Sequence, residues 1–220
     1  MLHEMRPYRH DIGFIANGLR VADYPWELRE HPRPRLIWLR AFHRIYNPAL
    51  APQVLARLLK VQPDARLTMI GPDKQDGSLQ HVLRDAEILG VSGRLTIVKG
   101  VRKEEVPSYL QQGDIFLNTT NVESFGLSVA EAMACGLCVV STNAGALPYW
   151  LTNERDALLV SRDNVEAMTD AVIRLLKEDD LARRLSLNAR RKVEEFDWSR
   201  VLPKWEELLC SVAQQRMVRT

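Results

Sequence analysis

The chain of 220 residues is 46% hydrophobic and 26% charged, with 30 Lys and Arg against 28 Asp and Glu for a net charge of +2. That supports a sizeable core near the upper end of the ~100–200 residues usual for one domain, and the near-neutral balance excludes a field that would by itself recruit nucleic acid or anionic lipid. No apolar stretch approaches the ~18–20 residues of a membrane span, and the polar stretch at residues 2–11 is no signal peptide, so the expected setting is the cytoplasm.

Taken in chain order, short apolar runs alternate with amphipathic segments. Strands are expected at 36–39, 67–70, 95–98, 115–117, 138–141 and 157–160, each rich in Leu, Ile or Val and short enough to be fully buried. Helices are expected between them at 48–61, 78–89, 104–112 and 127–134. Strict alternation predicts right-handed crossovers and an α/β fold: a Rossmann-like, doubly wound parallel sheet of about six strands with helices on both faces. Ligands in such sheets bind outside the carboxyl ends of the strands. Beyond residue 160 the pattern turns helical, at 165–177, 180–196 and 201–213. The basic cluster Arg183, Arg184, Arg190, Arg191 and Lys192 carries no interleaved aromatics and runs into Glu194 and Glu195, which reads as a solvated helix face and not as a nucleic-acid stripe.

The cysteines number 3, an odd count that argues against a disulfide framework. Cys135-Gly-Leu-Cys138 spells C-x-x-C, but it follows a helix and runs into a strand, whereas a redox pair sits at a helix start where the dipole lowers the thiol pKa. A structural role is expected, and no second pair completes a tetrahedral metal site.

Residues 121–160 carry most of the chemical information. A short buried strand ends at Thr119-Thr120-Asn121, a loop follows with Glu123, Ser124, Phe125 and Gly126, and a helix opens at Leu127 and contains Glu131. The first free N–H groups of that helix and its positive end suit an anion, and Gly126 has no side chain to keep a ligand from the backbone. Glu123 lies in the loop and Glu131 about one turn inside the helix, so the two carboxylates can flank a ligand with hydroxyls at either end of a diphosphate. Taken singly, each has a plainer reading: Glu131 as a solvent-facing helix residue, Glu123 as a cap on free N–H groups.

The stretch ESFGLSVAEAMACGLCVVSTNAGALP resembles the E-x7-E signature of the family 4 (group 1) retaining glycosyltransferases, nucleotide-sugar enzymes with the two-domain GT-B fold. The resemblance extends from Ile15-Ala-Asn-Gly-Leu19 over nearly the whole chain and corresponds to the C-terminal, donor-binding half. It implies that Glu123 contacts the donor sugar, that Glu131 holds the ribose hydroxyls, and that backbone N–H groups of residues 125–127 bind the diphosphate. It also implies three segments: an interdomain linker at 1–34, the nucleotide-sugar-binding domain at 35–197, and a crossover helix and tail at 198–220. That last helix normally crosses onto the first domain, so an exposed apolar face, a partner carrying the N-terminal domain, or self-association is expected.

Related enzymes carry an Arg after the first strand and a Lys five or six residues later, both on the diphosphate oxygens. Arg40 matches the first. Ile45 or Tyr46 stands at the second, with Arg44 or His43 near enough in sequence to substitute. Gly71, in the turn after the second strand, resembles a glycine lining the donor cleft; Val101, after the third, matches a position whose backbone meets the base. Gly145-Ala-Leu-Pro148 corresponds to the turn after the fifth strand, with Tyr149 and Trp150 where relatives have an acidic and an aliphatic residue, a change of either specificity or packing.

The resulting expectation is a donor-binding half that transfers a sugar from a nucleoside-diphosphate sugar to an acceptor hydroxyl, with no cofactor, no metal, no nucleic-acid partner and no transmembrane segment, and with attachment at the membrane only through a further domain. The alternatives are a non-catalytic nucleotide-sugar-binding module that needs a separate acceptor-binding partner, and a nucleotide-sugar epimerase on the same fold, which the E-A-M-A stretch fits less well. The base, the sugar and the acceptor carry no signature in the sequence.

Overall fold

The computed structural model describes residues 7, 8, 12 and 14–217. Apart from Pro7 and Tyr8, the stretch at 2–11 lies outside the described residues, as do residues 218–220 of the tail. At the centre, β1 (Arg35–Leu39), β2 (Arg66–Ile70), β3 (Leu95–Val98), β4 (Ile115–Asn118), β5 (Cys138–Thr142) and β6 (Leu158–Val160) form one sheet in the order β3-β2-β1-β4-β5-β6. Every pairing is parallel. The chain builds outward from β1 to β3, then returns to the other side of β1 to lay down β4, so the direction of winding reverses between β1 and β4. A crevice opens at that reversal, outside the carboxyl ends of the two strands.

The helices are α1 (Leu50–Leu58), α2 (Ser78–Ile88), α3 (Val106–Leu110), α4 (Leu127–Ala134), α5 (Val165–Lys177), α6 (Asp179–Glu194) and α7 (Trp198–Met217). Side chains alternate across β1: Leu36 and Trp38 join a core with α1, α2 and α5, while Ile37 and Leu39 join a second core with α3, α4 and the segment before β1. β4 and β5 are buried along their whole length, as continuous apolar runs require, and the edge strand β3 is only partly covered. The doubly wound sheet matches the sequence reading. The expected helix at 104–112 resolves into a 3-10 turn, Lys103–Glu105, followed by the short α3, with Pro107 in its first turn.

Residues 18–29, within the segment expected as a linker, pack into this domain. Leu19 N–H donates to the Phe196 carbonyl at 2.8 Å, and Val21 N–H to Asp197 Oδ2 at 3.0 Å. Arg29 is 3% exposed and meets Asp114 Oδ1 at 3.1 Å; the same carboxylate receives Arg35 at 2.6 Å. Arg190, expected on a solvated face, also donates to the Ala134 carbonyl at 2.8 Å and so closes the end of α4. Along α7, Trp198, Leu202, Trp205, Leu209 and Val212 stand exposed on one side of the helix. No helix among the described residues is long and apolar enough to cross a membrane.

Cys135 and Cys138 are both fully buried, and burial pushes each thiol up to about 12, so neither is a nucleophile near neutral pH. Their place is structural: one ends α4 and the other opens β5.

Candidate functional site

Arg40 leaves the end of β1 and Glu123 follows the end of β4, so the reversal in winding sets them side by side. Arg40 Nη2 pairs with Glu123 Oε2. The other carboxylate oxygen of Glu123 accepts from the N–H groups of Ser124 at 3.1 Å and Phe125 at 3.3 Å. The loop before α4 thus already binds a carboxylate, its own, through two backbone donors and a guanidinium. A cavity of about 250 Å³ opens here, walled in part by Arg40, Glu123, Ser124, Phe125, Gly126 and Leu127. All six are among the residues singled out in the sequence. Arg40 Nε and Ser128 Oγ, the latter in the first turn of α4, are buried without a hydrogen-bond partner among the described residues.

The turn after β5 holds Glu123 in place. Ala146 N–H donates to the Glu123 carbonyl at 2.8 Å, and a Cβ on Gly145, whose φ is +58°, would lie 2.0 Å from that carbonyl oxygen. Trp150 is 7% exposed, stacks on Phe125 with ring centroids 5.5 Å apart, and donates its indole N–H to the Phe125 carbonyl at 2.8 Å. Phe196 packs edge-on against both rings. Of the two readings offered for Trp150, packing is the one the structure displays: it supports the loop from beneath.

On the β1 side, the 3-10 turn Arg44–Tyr46 is pinned to the exit of β4, with Thr119 Oγ1 donating to the Tyr46 carbonyl at 2.8 Å and Asn121 N–H to the Ile45 carbonyl at 2.9 Å. Tyr46 therefore faces the site, its ring 4.6 Å from the Arg40 guanidinium carbon. Arg44 is exposed and does not line the cavity; its N–H donates at 2.9 Å to Asp76, whose carboxyl that bond lowers to about 2. His43 lies 3.7 Å from the same carboxylate. Neither side chain stands beside Arg40, because the backbone of the turn makes the connection. Gly71 does not line the cavity, but a Cβ there would meet the Arg40 carbonyl at 1.8 Å, so it sets how closely the β1 and β2 loops pack.

Glu131 lies inside α4, as its spacing suggests, and is met from the segment before β1. It is 7% exposed, absent from the wall of the cavity beside Glu123, and accepts a hydrogen bond from the Tyr24 hydroxyl at 2.8 Å. Burial raises its carboxyl above the ordinary range, opposed by the Tyr24 hydrogen bond and by the charges of Lys103 and Arg40. Tyr24 and Lys103 line a second cavity, of about 540 Å³, with Trp198. Val101 is half-buried against the core on this side. Glu131 is on the wall of neither cavity, and its hydrogen-bond partner Tyr24 lines the second. Sequence reasoning missed Tyr24, whose only local signal is an aromatic before Pro25 in a polar segment.

A family model described as "Glycosyl transferases group 1" matches residues 25–192. The chain belongs to the group 1 glycosyl transferases. Within this family it is 25% identical over 178 residues to the N-acetyl-alpha-D-glucosaminyl L-malate synthase of Bacillus anthracis, covering 80% of this chain and 45% of that protein. It therefore spans less than half the length of that relative. Its fold is similar to that of Anabaena Alr3699/HepE solved with UDP and glucose, with a TM-score of 0.81 at 17% identity over 90% of this chain and 56% of that one. It is also similar to the C-terminal domain of the group 1 glycosyl transferase LpcC from Francisella tularensis, with a TM-score of 0.71 at 21% identity over 80% of this chain and 97% of that domain. As in such group 1 proteins, the sheet and its flanking helices form the C-terminal half of a GT-B fold.

Proposed function

We propose that this chain is the donor-binding half of a retaining glycosyltransferase that takes a nucleoside-diphosphate sugar and transfers the sugar to an acceptor hydroxyl. The observation that carries the reading is the anion site before α4, where Ser124 N–H, Phe125 N–H and Arg40 converge on one carboxylate. A diphosphate takes over those donors, with Arg40 Nε and the N–H groups that open α4 as further partners, and no metal enters the scheme. Glu123, released, turns to the hydroxyls of the donor sugar, and Glu131 meets the ribose. As the anomeric C–O bond breaks, charge develops on the diphosphate where these donors already point. The acceptor site comes from a second half, so the chain alone binds donor without transferring it.

A second reading, binding without turnover, is favoured by Tyr46, which stacks on Arg40 where relatives are expected to have a second cation. Assay of sugar transfer with an N-terminal half supplied separates the two.

The test of the shared core is calorimetric titration of the chain with UDP, GDP and ADP and their sugar conjugates, with UDP first because the Anabaena structure was solved with it. Binding of one base class, lost in Glu131→Ala, is the expected result. No binding by any member overturns the donor-site reading.

A further inference from the structure

Tyr24 is 4% exposed in the segment before β1, 107 residues from Glu131, yet their side chains meet at 2.8 Å. Its position is set from several sides: Val21 N–H is held by Asp197, Leu19 N–H by Phe196, and the Tyr24 carbonyl by Arg190 Nη1 at 3.3 Å. A Phe would fill the same space. What the hydroxyl adds is a polar contact to a carboxylate, and both groups lose solvation to make it, a cost that an apolar pair would not incur. Among the described residues no other side chain hydrogen-bonds this carboxylate.

We propose that Tyr24 is a positioning residue for Glu131: its hydroxyl holds Oε1, which fixes the plane of the carboxylate and turns Oε2 toward the ribose hydroxyls of a bound nucleotide. This rests on the donor-site reading above and extends it to a residue outside the α4 loop. The phenol remains a donor throughout, because burial and the Glu131 charge raise its own ionisation far above neutral pH. Other charged or titratable groups acting on the pair are Arg40 after β1, Lys103 after β3, Asp23 beside Tyr24, and Cys135 farther along α4. Arg40 and Lys103 favour the carboxylate, as the Tyr24 hydroxyl does. Loss of the hydroxyl leaves the two cations against the full effect of burial, so the Glu131 carboxyl titrates at higher pH.

The test is calorimetric titration of the full chain with UDP across pH 5–8.5 for wild type, Tyr24→Phe, Glu131→Gln and the double variant, with carbon-13 NMR titration of the Glu131 carboxyl in the free protein. Tyr24→Phe is expected to weaken UDP roughly ten-fold near neutral pH, the effect of one hydrogen bond to a charged group. It should also shift the acidic limb of binding and the Glu131 midpoint upward, and add nothing to Glu131→Gln. Wild-type affinity, limb and midpoint in Tyr24→Phe, with binding still lost in Glu131→Ala, overturn the positioning role and leave the donor site standing. Absence of binding by every nucleoside diphosphate in the wild type removes both, and that outcome is visible before any variant is made.

Discussion

Arg40 and Glu123, 83 residues apart in the chain, close an ion pair across the gap between β1 and β4 where the winding of the sheet reverses. Glu123 is 5% exposed, and its carboxylate is held by Arg40 and two backbone N–H groups. Arg40→Ala should cost about 3 kcal/mol, at the low end for a broken buried pair because the N–H donors remain. In urea unfolding, the Arg40→Ala/Glu123→Ala double variant should be more stable than the sum of the single losses predicts. Additive losses would mean that the pair contributes nothing jointly.

Gly145→Ala should cost about 2 kcal/mol or more, combining the strain of a positive φ with a methyl group pressed on the Glu123 carbonyl. Gly77→Ala is the control: its φ is also positive, at +86°, but a Cβ there meets nothing within 4 Å. Only the Gly145 variant should also weaken UDP. Equal effects at both positions would show that the turn after β5 does not hold Glu123.

Glu131→Gln trades binding against stability. The folded-state pKa of this buried acid lies above its ordinary 4.5, so the native state keeps a proton that the unfolded chain has lost. Stability therefore falls as pH rises from 4.5 through the folded-state value, and the whole cost is in place above it. The Gln variant should melt higher than wild type at about pH 8, with the gap closing toward about pH 4.5, while its affinity for UDP drops. A gap independent of pH would assign the effect to packing.

Asp114→Ala takes from Arg29, 3% exposed, its buried carboxylate, leaving it the exposed Glu27, and also removes the partner of Arg35. A loss of about 3–5 kcal/mol in chemical denaturation is expected. Asp114→Asn, which keeps the acceptor oxygen, should lose less.

Of the cysteines, Cys210 is exposed and Cys135 and Cys138 are buried. In native buffer a thiol reagent should modify Cys210 alone, with the other two reacting only as the chain unfolds. Rapid modification of more than one thiol would contradict the burial of the pair.

The strands were legible because each is a short apolar run between turn residues, and that pattern has few other meanings in an alternating chain. The α4 loop was legible because its chemistry is contiguous: Glu123, Ser124, Phe125 and Gly126 sit together in sequence and in space. What stayed hidden is whatever depends on distant residues meeting. Tyr24 looked like part of a linker, and nothing near it signals that its hydroxyl reaches Glu131. Nothing in the sequence pairs Arg29 with Asp114, since the burial of each goes with the other's presence. Gly145 was visible as a turn, but not as the residue that abuts Glu123. Arg44 was chosen by nearness in sequence to Arg40, and the 3-10 turn points Tyr46 there instead.

The pairing of Leu36 with Ile115 and of Ile37 with Phe116 joins β1 to β4 at the middle of the sheet. It requires the chain to close a long loop around β2 and β3, a step that is slow because its entropic cost precedes its reward. A partly folded chain that has built only β1 to β3 holds Arg40 without Glu123. Completion of the sheet and the meeting of Arg40 with Glu123 are thus one kinetic event.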